Sequence, residues 1–146
     1  LDDSGIHCWG YNSEGQTDVP PLSRPVDITV GWDFNCSLDD SGAVCWGFNE
    51  HEQTTVPALT NPTKIDAGES HVCVIVSPGI ECWGWASFHG AAILAVPSGS
   101  DYVDVHLSGV DACALDAAGS VPPDGRSSPK VSRSIGSGRA RGPRKS

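Results

Sequence analysis

The chain of 146 residues contains no methionine, and its first residue is leucine. A natural chain begins with methionine unless it has been processed, so the start is expected to be cut or fragmentary, and the lack of a signal peptide is uninformative. No apolar run approaches the roughly 18 residues of a membrane-spanning helix, so no membrane partner is expected. Hydrophobic residues make up only 38% of the chain, whereas 17 glycines and 11 prolines favour turns and short strands over helices.

Motifs of catalysis and of cofactor binding are also missing. The sequence has no serine nucleophile elbow, no glycine-rich phosphate loop and no metalloprotease helix. Its cysteines are spaced as Cys-x8-Cys, not as the Cys-x2-4-Cys of zinc sites, and its five histidines follow no common position. The sequence therefore predicts a protein that is not an enzyme and that has neither a cofactor nor a metal site.

Charge divides the chain into two parts. Residues 1–125 hold all 18 acidic side chains and two basic ones, a formal charge of −16, whereas residues 126–146 hold seven basic side chains. The acidic part would repel phosphate groups, so nucleic acid is expected to bind only through the basic part. Residues 122–146 are rich in Ser, Gly, Pro and Arg, which predicts a disordered basic tail.

A repeat of 37 residues organises residues 1–121. The tripeptide Cys-Trp-Gly occurs three times at this interval, and a second cysteine series precedes it by nine positions. The last step of that second series is 40 residues, because three extra residues lie between Gly84 and Pro97. Such self-similarity is typical of repeat architectures. The predicted units are about 1–25, 26–62, 63–100 and 101–121.

Each complete unit is predicted to hold several short strands. In the second unit, alternating apolar residues indicate a strand over 26–30, and further strands are expected over 35–38 and 43–46. The turn at residues 39–42, Asp-Asp-Ser-Gly, suits a tight hairpin, and 54–56 is a candidate fourth strand. A unit of this kind needs neighbours to bury its faces, which predicts an all-β propeller. Three tryptophans are then expected to pack between blades: Trp9, Trp46 and Trp83.

The second unit carries the pattern Gly31-x4-Cys36-x-Leu38-x3-Gly42-x-Val44-Cys45-Trp46-Gly47-x-Asn49-x3-Gln53-x2-Val56-Pro57. It resembles the regulator-of-chromosome-condensation repeat family in the short-blade form that beta-lactamase inhibitor protein II also has. The resemblance covers about residues 1–121 and implies a seven-bladed β-propeller. Because the chain holds only about three to three and a half blades, a partial propeller is expected, with open blade edges that allow self-association.

Two pairs of cysteines flank the same hairpin in successive units, Cys36 with Cys45 and Cys73 with Cys82. With a two-residue loop, the members of each pair face each other and can form a cross-strand disulfide. A type I turn with a bulge at Gly42 would instead place the two thiols on opposite faces. Bonded pairs would favour an extracellular or secretory location.

Two further cysteines, Cys8 and Cys113, have no partner at the matching position of their own unit. Three fates are open to them: they remain free, they bridge between chains, or they meet each other when the two half-hairpins dock.

The loops that differ between units are the predicted partner-binding surface, because variable loops on a rigid scaffold commonly carry specificity. Between the first two strands, the second unit has Trp32, Asp33 and Phe34, and the third has Glu69 and His71. The two aromatic residues are expected to be exposed hot-spot anchors, although packing of the tryptophan against a neighbouring blade is an alternative. The enlarged loop of the third unit offers a second patch: Trp85 and Phe88.

Together these patterns predict a non-enzymatic protein–protein interaction module with a protein partner. The family resemblance implies two alternatives, a guanine-nucleotide exchange factor for a small GTPase and a secreted enzyme inhibitor. No single residue supports the exchange factor directly, since one fold hosts many functions.

Overall fold

The computed structural model describes residues 5–85, 96, 99, 101–109 and 111–117. Eight strands form its regular structure: β1 (Asp27–Val30), β2 (Phe34–Asp39), β3 (Gly42–Gly47), β4 (Lys64–Ala67), β5 (His71–Ile75), β6 (Ile80–Gly84), β7 (Tyr102–Leu107) and β8 (Ala112–Asp116). They make three antiparallel sheets, in the orders β1-β2-β3, β4-β5-β6 and β7-β8. Among the described residues, none belongs to a helix that could span a membrane.

The strands predicted over 26–30, 35–38 and 43–46 are confirmed as β1, β2 and β3. The candidate fourth strand at residues 54–56 is wrong, because that segment forms no ladder and the complete sheets have three strands. Its apolar side chain has a different role: Val56 packs, partly buried, against the core. The residues predicted as a disordered tail, 122–146, lie outside the described part of the chain.

The hairpin between β2 and β3 has a two-residue loop. Asp39 lies opposite Gly42, and Gly42 adopts a φ of 120°, which glycine tolerates at no steric cost. The carboxylate of Asp39 accepts hydrogen bonds from the backbone N–H groups of Ser23 and Ser41. These hydrogen bonds hold the pKa of Asp39 below its ordinary value, and the bond from Ser23 has the largest effect.

This register decides between the two turn alternatives. Cys36 lies opposite Cys45, and Cys73 lies opposite Cys82, with Cα–Cα distances of 4.0 and 4.1 Å. Both pairs are disulfide-bonded, as the two-residue loop predicts. Each bond therefore joins the second and third strands of one blade.

The core is shared between neighbouring blades. The largest cluster joins one face of β2 to the facing side of β4 and β5, and it contains Phe34, Leu38, Ile65, Val72 and Val74. A second cluster joins β5 to β7 through Cys73, Ile75 and Val105. Fully burying an aliphatic side chain stabilises a fold by about 1.5–3 kcal/mol, so each blade depends on its neighbour.

The repeat tryptophans do not share one environment. Trp46 and Trp83 are buried, and each donates its indole N–H to a backbone carbonyl of the preceding unit, that of Gln16 or Gln53, at 2.9 Å. Trp9 is 87% exposed, so the structure does not show the blade packing predicted for it.

Candidate functional site: the loop end

The variable loops lie at one end of the array, where the first strand of each blade ends and the second begins. The third strand finishes at the same end, because the backbone N–H of Phe48 donates to the carbonyl of Asp33, and that of Trp85 to Ser70, both at 2.8 Å. We call this surface the loop end and define it by residues 31–33, 48–51, 68–70, 85 and 108–109.

Close backbone contacts shape the loop end. Gly47, the last residue of β3, has a φ of 103°, and a Cβ there would lie 2.6 Å from the carbonyl oxygen of Asp33. A side chain at this position is excluded both by backbone conformation and by space. The main chain of the loop therefore lies directly against the end of β3.

Main-chain hydrogen bonds also link the loops of successive units. The N–H of Trp32 donates to the carbonyl of Glu69 at 3.2 Å, and the N–H of Glu69 donates to the carbonyl of Gly109 at 3.3 Å. These three residues occupy the same position in their units. The side chains of Trp32 and Glu69 take no part in these bonds and are exposed.

A groove of about 410 Å³ runs along this line of loops. Its walls come from the same positions of three successive units, residues 30–32, 67–69 and 108–109. Trp32 is 72% exposed at its edge, and Glu69 is exposed within it. The structure thus brings together Trp32 and Glu69 of the predicted partner-binding residues.

The expectation that Phe34 is an exposed anchor is wrong, and His71, another predicted partner-binding residue, is buried as well. Their side chains are 1% and 2% exposed. Each is the first residue of its strand, so it points into the space between blades rather than into the loop. Each ring covers a glycine of its own unit: a Cβ at Gly31 or Gly68 would lie 2.0 or 2.2 Å from that ring.

Burial has an electrostatic consequence at His71. Desolvation lowers the pKa of the imidazole, and the nearby carboxylate of Asp66 opposes that shift only in part. Asp33 is half-buried, and its carboxylate accepts a hydrogen bond from the side chain of Gln16 at 3.2 Å. Both residues therefore support the loop end from within.

An aromatic cluster forms the second part of the loop end. The imidazole of His51 stacks on the indole of Trp85, with ring centroids 4.3 Å apart, and meets the ring of Phe48 edge-on at 5.7 Å. Sequence reasoning missed Phe48 and His51. One signal was available, since the residue after each Cys-Trp-Gly is aromatic, including Tyr11. Phe88, predicted for the same patch, lies outside the described residues.

No group of three or more His, Cys, Asp or Glu side chains suited to a metal ion occurs in the described part of the chain. The chemistry available at the loop end is that of exposed aromatic rings, a carboxylate and main-chain groups around an open groove. Such a surface is suited to contact with another macromolecule.

Solved structures with a similar fold include propeller proteins. The ectodomain of the Physcomitrella patens receptor kinase CR4 matches with a TM-score of 0.65 and 22% identity, covering 80% of this chain and 34% of that one. The ectodomain of the Arabidopsis thaliana receptor kinase ACR4 matches with a TM-score of 0.64 and 22% identity, covering 78% of this chain and 41% of that one. Prp20p of Saccharomyces cerevisiae matches with a TM-score of 0.56 and 18% identity, covering 69% of this chain and 31% of that one.

The fold is that of an RCC1-like β-propeller. No protein-family model matches the sequence, and no curated protein matches it. The chain spans about a third to two fifths of the length of the two receptor ectodomains. It is therefore a partial propeller, as the short repeat array predicts.

Proposed function

We propose that the loop end binds a protein partner and that the chain acts as a non-enzymatic interaction module. The observation that carries this proposal is Trp32, a large aromatic side chain that is 72% exposed at the edge of a groove built by three units. Exposed tryptophans of this kind are enriched among binding hot spots. Glu69 adds a negative charge beside the indole, which favours a partner with a basic or hydrogen-bond-donating contact.

The structural neighbours support a binding role. Prp20p is described with binding properties toward Gsp1p and histones, and yeast RCC1 has been solved bound to Kap60. The two plant neighbours are ectodomains of receptor kinases. A propeller is a rigid scaffold whose loops can vary, and the loop end has this construction.

We place the module in an oxidising compartment, outside the cell or in the secretory pathway. Two intact cross-strand disulfides carry this part of the proposal, because such bonds are rare in the reducing cytosol. That location suits the secreted-inhibitor hypothesis better than the exchange-factor hypothesis, since small GTPases work in the cytosol and nucleus. Failure to accelerate nucleotide release from a panel of small GTPases would dismiss the exchange factor.

The test compares two single substitutions in the full chain. Trp32→Ala removes the proposed anchor, whereas Arg24→Ala removes an exposed side chain that pairs with Asp40 at the opposite end of the blade. Both immobilised variants and the wild type are incubated with a fraction of secreted proteins, and bound proteins are quantified by mass spectrometry. Partners of the loop end should be lost from W32A, with at least about tenfold weaker affinity, and retained by R24A.

Equal capture by all three forms would show that the loop end is not the binding surface. Thermal melts accompany the comparison, because an exposed side chain should leave stability within about 0.5 kcal/mol of the wild type. Glu69→Ala provides a second variant on the same groove and should weaken the same partners to a smaller extent.

A further inference from the structure

The lysine and arginine side chains of the described residues lie at the end of the blades opposite the loop end. Arg24 pairs with Asp40 in the hairpin between β2 and β3, and the ammonium group of Lys64 lies 3.9 Å from the carboxylate of Asp27. β1 and β4 begin at this opposite end. In the described part of the chain, the loop end therefore has no lysine or arginine to balance its carboxylates.

The loop end has three carboxylates. Asp33 accepts a hydrogen bond from Gln16, whereas Glu50 and Glu69 are exposed and have no ion-pair or side-chain hydrogen-bond partner among the described residues. The carboxylate of Glu69 lies over Gly109 in the groove, because a Cβ on that glycine would be 3.1 Å from its Oε1 atom. Glu69 belongs to the middle one of the three loops that line the groove. The centre of the groove thus carries an uncompensated negative charge.

Aromatic rings lie beside these carboxylates. The indole of Trp32 is 72% exposed at the edge of the groove, and the stacked rings of His51 and Trp85 follow Glu50 at the second part of the loop end. A guanidinium group suits this combination, since it stacks on an aromatic face and pairs with a carboxylate through two parallel hydrogen bonds. A segment rich in arginine therefore fits the loop end better than one rich in lysine.

The chain itself contains a segment of this chemistry. Residues 126–146 hold five arginines, two lysines and no acidic residue, a formal charge of +7, whereas residues 1–125 have a formal charge of −16. Opposite charges attract over roughly 8 Å at physiological ionic strength, so the acidic body attracts this segment to its surface. The unbalanced carboxylates and exposed rings favour the loop end as the place where it binds.

The basic segment is long enough to reach the loop end. β8 begins at the loop end and finishes at Asp116, at the opposite end. Its five residues span about 17 Å at ~3.4 Å per residue. The chain from Asp116 to Arg126 can extend to roughly 33 Å at about 3.3 Å per residue. The segment can therefore return along the blade to the loop end of the same copy.

We propose that residues 126–146 bind to the loop end of the same copy, with arginine side chains against the indole of Trp32 and beside the carboxylate of Glu69. Bound there, the segment occupies the groove that an external protein would use, and such a partner has to displace it. This contact uses the binding surface proposed above but needs no external partner. Failure to capture a secreted protein would therefore leave it standing.

Carbodiimide cross-linking of the full 146-residue chain tests the contact, because the reagent joins an amine to a carboxylate only where the two touch. Lys130 and Lys145 supply the amines of the basic segment. Mass spectrometry should find them linked mainly to Glu50 and Glu69, with the carboxylates of the opposite end as internal references. A mixture of isotope-labelled and unlabelled chains should show that the links form within one copy. Sodium chloride at about 1 M should weaken them, because the screening length then falls to roughly 3 Å.

Two matched variants of the basic segment separate charge from the number of substitutions. Changing the five arginines to glutamine lowers the formal charge of the segment from +7 to +2 and should reduce the links to Glu69 at least about fivefold. The control leaves the charge at +7 and should keep the links, since it changes five serines to glutamine: Ser127, Ser128, Ser132, Ser134 and Ser137. Both variants retain the two reporter lysines.

Trp32→Ala is a third variant, which leaves every reactive amine and carboxylate in place. It should also reduce the links to Glu69, because the arginines lose the indole on which they stack. Links spread evenly over the carboxylates of both ends, or equal yields from the arginine and serine variants, would overturn the proposal. Links found only between labelled and unlabelled copies would overturn it as well. Far-ultraviolet circular dichroism checks that each variant keeps the wild-type fold.

Discussion

Phe34 and His71 occupy the same position in successive units, yet one is apolar and the other titrates. Each ring covers a glycine and is almost fully removed from solvent. The Nε2 atom of His71 is buried and has no hydrogen-bond partner among the described residues. A buried imidazole is most stable in its neutral form, so the third unit carries a pH sensitivity that the second unit lacks.

His71→Phe should remove that sensitivity. In the wild type the stability contribution is fully present above about pH 6.5 and is lost as pH falls through the depressed pKa of folded His71, because the unfolded chain then binds the proton more readily. The variant should unfold in urea with nearly equal free energies at pH 7.5 and 5.5, whereas the wild type should lose stability at the lower pH. Exposed His7→Asn serves as the control and should behave like wild type. An unchanged pH slope in the variant would contradict the assignment.

The sequence assigned Phe34 and His71 to loops for a simple reason. The sequence predicts that the second strand begins at residue 35, but β2 begins at Phe34. Side chains alternate along a strand, so a boundary moved by one residue changes a loop residue into a core residue. Trp32, for which exposure and packing against a neighbouring blade were both open, lies two residues farther from that boundary and is exposed.

At the scale of elements, the hairpin was the most predictable part of the fold. Its turn residues indicate the loop length, the loop length sets the register, and the register pairs the cysteines. The fourth strand was not predictable in the same way. Residues 54–56 have strand-like composition, but they pair with no strand in the described part of the chain.

Replacing Cys36 and Cys45 together by alanine should lower the free energy of unfolding by about 2.5–3 kcal/mol, since the bond closes a loop of roughly ten residues in the unfolded chain. The disulfide between Cys73 and Cys82 closes a loop of the same length, so the equivalent double variant should lose a similar free energy of unfolding. Urea unfolding measures both, and a reductant should abolish the difference from wild type. A loss below about 1 kcal/mol would mean that the closed loop is already ordered in the unfolded state.

At the scale of the whole molecule, the buried apolar side chains lie between blades rather than within them. The main clusters each join strands of two successive units. The 37-residue period predicts such an array, because one blade cannot bury both of its faces.

The backbone bonds from Trp32 to Glu69 and from Glu69 to Gly109 have a practical consequence for protein engineering. They hold three neighbouring loops in register without using any side chain at these positions. A combinatorial library at residues 32, 69 and 109 would then vary the recognition surface while the scaffold remains intact. The loop end is therefore a surface on which new binding specificities can be selected without redesigning the blades.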